Sequence, residues 1–100
     1  MIVVLGIIEV AVGDRERFLE EKAPQVVATR AEVGCVDYAF AADAEDPGRV
    51  RLVERWETMA DLEAHVAGLR SAPAPTRPPV PSTMVAIDVL EAEAVRAPWA

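Results

Sequence analysis

Residues 2–11 are apolar on both of their alternating faces, with Glu9 as the single charge. Successive side chains of a β-strand point to opposite sides of the sheet. A strand written this way belongs at the centre of a sheet, with neighbours on both edges and cover on both faces. The rest of the chain has to supply that setting.

A helix is expected from Asp14, the N-cap candidate after Gly13, with Phe18, Ala23, Val26, Val27 and Arg30 near one broad stripe. Pro24 predicts a kink or break there, because an internal proline loses one hydrogen bond and crowds the preceding turn. Gly34 reads as the C′ residue that ends the helix. Residues 35–42 read as the second strand, with Val36, Tyr38 and Phe40 on one face and Cys35, Asp37, Ala39 and Ala41 on the other. Residues 44–49, containing Asp46, Pro47 and Gly48, are turn material, so the next strand is the second arm of a hairpin.

In that third strand Val50, Leu52, Glu54 and Trp56 alternate with Arg51, Val53, Arg55 and Glu57, which sets a carboxylate beside an indole. The period then changes. With Thr58 as N-cap and Asp61 three residues on, Leu62, His65, Val66 and Leu69 mark one face of an amphipathic helix, and His65, the only histidine, points inward. Residues 71–82 carry five prolines, which end this helix near Arg70 and stiffen an extended loop. Residues 83–91 supply the last strand, interrupted by Asp88. One domain is expected over residues 1–91, with 92–100 as a tail that is ordered only if something holds it.

Strand, helix, strand, strand, helix, strand in this order is the ferredoxin-like arrangement, an α+β fold with a four-stranded antiparallel sheet and two helices on one face. Two helices cover only that face, so the first and last strands would leave an apolar patch bare on a monomer. A homodimer in which two such sheets pack face to face removes it.

The net charge of −7 repels phosphate backbones, and the arginines at 15, 17, 49, 51 and 55 are interleaved with acids, so nucleic acid is not an expected partner. No apolar run approaches the roughly 18 residues that would cross a membrane. The start is apolar but lacks a basic region and is broken by Gly6, so it does not read as a signal peptide, and a cytoplasmic location is expected. Cys35 is the single cysteine; it can neither form an intramolecular disulfide nor build a thiolate metal site alone. A carboxylate, an imidazole and an indole converging between sheet and helix, by contrast, make a pocket with acid and base capability.

The block Arg30-Ala31-Glu32-Val33-Gly34-Cys35-Val36-Asp37-Tyr38, then Asp43 and the Asp46-Pro47 turn, then Glu54-Arg55-Trp56 and Leu62-Glu63-Ala64-His65, resembles the antibiotic biosynthesis monooxygenase family over roughly residues 2–70. The resemblance implies a dimeric α+β barrel. Characterised members include oxygenases that use molecular oxygen on phenols, quinols or polyketide aromatics without metal or flavin. It therefore implies a small aromatic substrate and oxygen as partners, and neither cofactor nor metal. In that setting His65 is the candidate base or proton relay, since imidazole titrates near neutrality, and Glu54 orients it or stabilises its charge. Trp56, Leu52, Tyr38 and Phe40 are candidates to flank a planar substrate, with the Tyr38 hydroxyl bonding a quinone-type oxygen, and Arg30 joins Tyr38, Leu52 and Phe40 as a candidate substrate-binding residue.

Each residue also has a plain structural reading: His65 as a satisfied core residue, Trp56 as packing, and Glu54 paired with Arg30 at the end of the first helix. Two departures from the family pattern stand out. The chain has no asparagine, which some of these oxygenases place near the tryptophan, and it runs Pro73-Ala74-Pro75 where haem-degrading relatives carry a ligating histidine. Two other functions fit the same pocket: a non-catalytic barrel that binds an apolar small molecule or serves as an accessory subunit, and a cofactor-free isomerase or cyclase.

Overall fold

A computed structural model describes residues 1–99; Ala100, the last residue of the expected tail, lies outside the described residues. The elements are β1 (Ile2–Val10), α1 (Arg15–Arg30), β2 (Cys35–Ala42), β3 (Arg49–Trp56), α2 (Met59–Ser71) and β4 (Ser82–Glu91). They form a ferredoxin-like α+β fold whose antiparallel sheet has the order β2-β3-β1-β4. Strand β1 thus has a partner on each edge, as its two apolar faces require.

Register sorts the side chains. Ile2, Val4, Gly6 and Ile8 stand opposite Trp56, Glu54, Leu52 and Val50, and this is the face under the helices. It packs with Phe18 of α1, Leu62 of α2 and Val80 of the proline-rich loop into one core. Each such side chain contributes about 1.5–3 kcal/mol by leaving water. The loop is fastened as well as buried at Val80, whose N–H donates to the Glu21 carboxylate at 3.1 Å. At the other end of the sheet the Arg15 guanidinium donates to the carbonyls of Asp43, Asp46 and Arg49, tying the start of α1 to the β2–β3 turn.

Four local expectations are corrected. Helix α1 runs unbroken through Pro24, which is exposed along with Glu20, so the carbonyl that the proline leaves without a partner is open to water. Its inward face is Phe18, Lys22, Gln25, Val26 and Thr29, while Ala23, Val27 and Arg30 are exposed. The helix stops at Arg30 with Ala31 as C-cap, so Gly34 is not its C′ residue but part of the turn leading into β2. In β2 the register shifts between Cys35 and Asp37. This bulge takes up Val36, which is exposed, and turns Cys35 opposite Trp56, to the same side as Tyr38.

The face away from the helices carries Leu5 and Leu90, both exposed. Strand β4 is exposed along its whole length, including Met84, Ile87 and Val89, which point to the helix side of the sheet. The tail is held at its first residue, where Ala92 and Met1 exchange hydrogen bonds at 2.9 and 3.2 Å.

Candidate active site

Strand β3 turns Glu54 and Trp56 to one side, two residues apart, and pairing with β2 sets Tyr38 opposite Glu54. The indole Nε1–H donates to Glu54 Oε1 at 2.9 Å. Trp56 has no exposure and Glu54 is 6% exposed. Ionising a carboxyl at that depth is costly. Burial pushes the Glu54 carboxyl above its ordinary 4.5; the Trp56 N–H and the His65 ring act the other way, and Glu32 adds to the rise.

Helix α2 brings His65 against this pair. Thr58 caps the helix: its Oγ1 accepts from the Asp61 backbone N–H at 3.1 Å and donates to the Asp61 carboxylate at 2.8 Å. One turn further, the His65 ring lies on the Trp56 indole, with centroids 4.9 Å apart and planes tilted by 34°, and the Tyr38 ring meets it edge-on at 5.3 Å. His65 Nδ1 is 2.7 Å from Glu32 Oε2.

Glu32 reaches His65 because the turn 31–34 sits against the start of α2. The Glu57 N–H donates to the Gly34 carbonyl at 2.8 Å. Gly34 has φ +79°, and a Cβ there would run into the Asp61 side chain, so only glycine allows both the left-handed backbone and the close approach. An ionised carboxylate only accepts hydrogen bonds, so contact with Glu32 makes Nδ1 a donor, and in the neutral ring Nε2 is then the acceptor.

His65 and Glu54 form part of the wall of a cavity of about 320 Å³. The other walls are Phe18, Lys22 and Gln25 of α1, Tyr38 and Phe40 of β2, Leu52 of β3, Val66 and Leu69 of α2, Ile8 of β1, and Ser82, Met84 and Ile87 of β4. A side chain at Gly6 would come within 3.2 Å of Leu52 and 3.3 Å of Met84, two of these wall residues. Phe40 stands edge-on to Phe18 at 6.1 Å and to Tyr38 at 5.6 Å, so planar groups line one side. The Tyr38 oxygen accepts from Gln25 Nε2–H at 2.8 Å and keeps its own proton to give. Burial pushes that phenol up to about 12, so it is neutral at ordinary pH. A space of this size, mainly apolar with a few converging polar groups, suits a small organic ligand.

Of the residues singled out in the sequence, His65, Glu54, Tyr38, Leu52 and Phe40 line the cavity together. Trp56 does not; it lies fully buried, bonded to Glu54 and stacked on His65. Arg30 lies elsewhere: it is exposed and its Nε–H donates to the Tyr38 carbonyl at 2.9 Å, so the expected Arg30–Glu54 ion pair is not formed. Sequence reasoning missed Glu32, the partner His65 actually has. The one signal for it was its place inside the Arg30–Cys35 block. Cys35 is a protonated thiol, pushed up by burial and by the acids around it. Among the described residues no cluster of three or more His, Cys, Asp or Glu side chains is placed to hold a metal ion, and no helix is long and apolar enough to cross a membrane.

Residues 1–70 match the family described as antibiotic biosynthesis monooxygenase. The chain belongs to this family. The match takes in Glu32, Glu54, Trp56 and His65 and ends before the proline-rich loop and β4. Among solved structures, this monooxygenase-family chain is similar to a candidate antibiotic biosynthesis monooxygenase of Deinococcus radiodurans, at 20% identity over 97% of this chain and 98% of that one, with a TM-score of 0.74. A second candidate monooxygenase, of Nitrosomonas europaea, is 26% identical over 66% of this chain and 64% of its own, with a TM-score of 0.63. The haem degrader MhuD of Mycobacterium tuberculosis, solved with two haems in its active site, aligns at 20% identity over 97% and 98% of the two chains, with a TM-score of 0.67. No protein of curated function matches the chain.

Proposed function

We propose that this family member is a monooxygenase that oxidises a phenol, quinol or polyketide-type aromatic with molecular oxygen, using no cofactor of its own. The observation that carries the reading is the chain of contacts Glu32–His65–Trp56–Glu54 at the wall of an aromatic-lined cavity. His65, with Nδ1 committed to Glu32, takes the phenolic proton on Nε2. The phenolate passes one electron to oxygen, the resulting pair joins at a ring carbon bearing hydrogen, and the peroxide anion so formed takes the proton back from His65 Nε2. Loss of water from that peroxide leaves a quinone carbonyl. One oxygen atom ends in the product and the other in water, and the substrate supplies every electron. The protein's part is to orient the ring, exclude water and move the proton. Tyr38, neutral and with a proton to give, hydrogen-bonds the developing quinone oxygen, and Trp56 acts as a positioning residue beneath His65.

A homodimer belongs to this reading, because the exposed apolar faces of β4 and the uncovered side of the sheet need a cover of their own kind. Haem is the rival occupant, given the likeness to MhuD. Two observations disfavour it: the only histidine is engaged by Glu32, and α2 ends at Ser71 and gives way to Pro73 and Pro75.

The test is oxygen uptake by the purified protein with a panel of phenols and hydroquinones. Uptake of one oxygen molecule per quinone formed is expected. Turnover without oxygen would point to an isomerase, binding without turnover to an accessory role, and tight haem binding in place of aromatic binding to a haem degrader; any of these overturns the proposal.

A further inference from the structure

We infer that the aromatic taken into this cavity carries a carboxylate, and that Lys22 receives it; the inference rests on the proposed function and names its substrate class. Among the described residues, Lys22 is the only lysine or arginine that lines the cavity. Among the described residues it has no carboxylate within ion-pair distance. Its ammonium instead lies 5.4 Å from the centre of the Phe18 ring and 6.0 Å from that of Phe40. Of the two acids next to it in the chain, Glu21 is taken by the Val80 N–H and Glu20 is exposed.

Position along the sheet gives the polarity. Tyr38 pairs with Glu54 and Phe40 with Leu52, so the layer holding Phe40 and Lys22 is displaced from the acid–base layer by two residues of strand, about 7 Å. Glu54 and Glu32, either side of His65, make that end of the site unfavourable for a further carboxylate, and Lys22 makes the other end favourable. A planar ring between Phe40 and Tyr38, with its hydroxyl toward His65, thus puts a carboxylate at Lys22. On a chain of net charge −7 the overall field does not draw in an anion, so this local pairing has to select it. One ammonium balances one negative charge, which fits a carboxylate and leaves a phosphate dianion uncompensated.

Titration calorimetry with 6-hydroxy-2-naphthoate, whose hydroxyl and carboxylate lie at opposite ends of the ring system, and with its methyl ester on the full chain tests this. The acid is expected to bind about tenfold more tightly than the ester. Lys22→Met and Lys22→Gln should bring that ratio close to one, and Lys22→Arg should largely keep it. Equal binding of acid and ester by the unaltered protein, or a ratio that survives in both neutral variants, overturns the carboxylate while leaving the proposed function in place. If neither compound binds, both the carboxylate and the proposed function are overturned.

Discussion

Strands β3 and β4 lie on either side of the same central strand, both antiparallel to it, yet they live in different environments. Val50 and Trp56 of β3 have no exposure, whereas every residue of β4 is exposed, Ile87 at 53%. Composition alone would give the reverse order: β3 contains Arg49, Arg51, Arg55 and Glu54, and β4 is mostly aliphatic. The difference comes from what lies over each strand. β3 is flanked by β2 and packed under His65, while β4 has β1 on one edge only and its helix-side residues Ser82, Met84 and Ile87 border the cavity instead of packing into the core. An apolar edge strand of this length is a hazard unless something covers it. The comparison teaches that β3 carries the buried side of one chain and that β4, on the proposed homodimer, is the strand left for a second chain to cover.

The sharpest way to break that division is Trp56→Ala. Removing a fully buried indole also takes the hydrogen bond from Glu54, and should cost about 4 kcal/mol in urea unfolding. A loss under about 1 kcal/mol would mean that β3 is not where stability resides. Next in size is Leu90→Asp on the uncovered face of β4, which should weaken self-association by about 2 kcal/mol or more while the circular dichroism of the folded chain persists. Sedimentation of the unaltered protein as a monomer at high concentration would remove the reason given for the exposure of β4.

A smaller effect concerns pH. Burial raises the Glu54 pKa above 4.5, so the folded state holds that proton more tightly than the unfolded one. This contribution to stability is complete below 4.5 and is lost as pH rises through the folded-state value. Glu54→Gln keeps an acceptor for Trp56 but cannot titrate. The variant should therefore gain on the unaltered protein as pH rises from 4.5, in denaturation curves taken along the series. A constant difference would mean that Glu54 is not strained by burial.

Much of this was legible in the chain. Period-two alternation fixed the faces of β1 and β3, and the Thr58–Asp61 cap fixed the phase that turns His65 inward. What failed on α1 has one cause: some of the residues facing the cavity and the core are polar. The inward face of α1 is Phe18, Lys22, Gln25, Val26 and Thr29 at good helical spacing; the expected stripe held Phe18 and Val26 but had Ala23, Val27 and Arg30 in place of Lys22, Gln25 and Thr29. Glu32 was invisible for a second reason. It lies in a turn, where no periodicity operates, and its meeting with His65 depends on Gly34 letting that turn approach α2. The bulge at Val36 follows from pairing with β3, and local sequence does not encode it strongly.

The central claim is that His65, held by Glu32, starts an oxidation the substrate completes with oxygen. Its most direct test is oxygen consumption by the unaltered protein and by His65→Gln with the same hydroxyaromatic. The account predicts steady uptake that falls by about a hundredfold or more in the variant, whose fold and ligand binding persist. Equal uptake by the two proteins, or none by either, would contradict it.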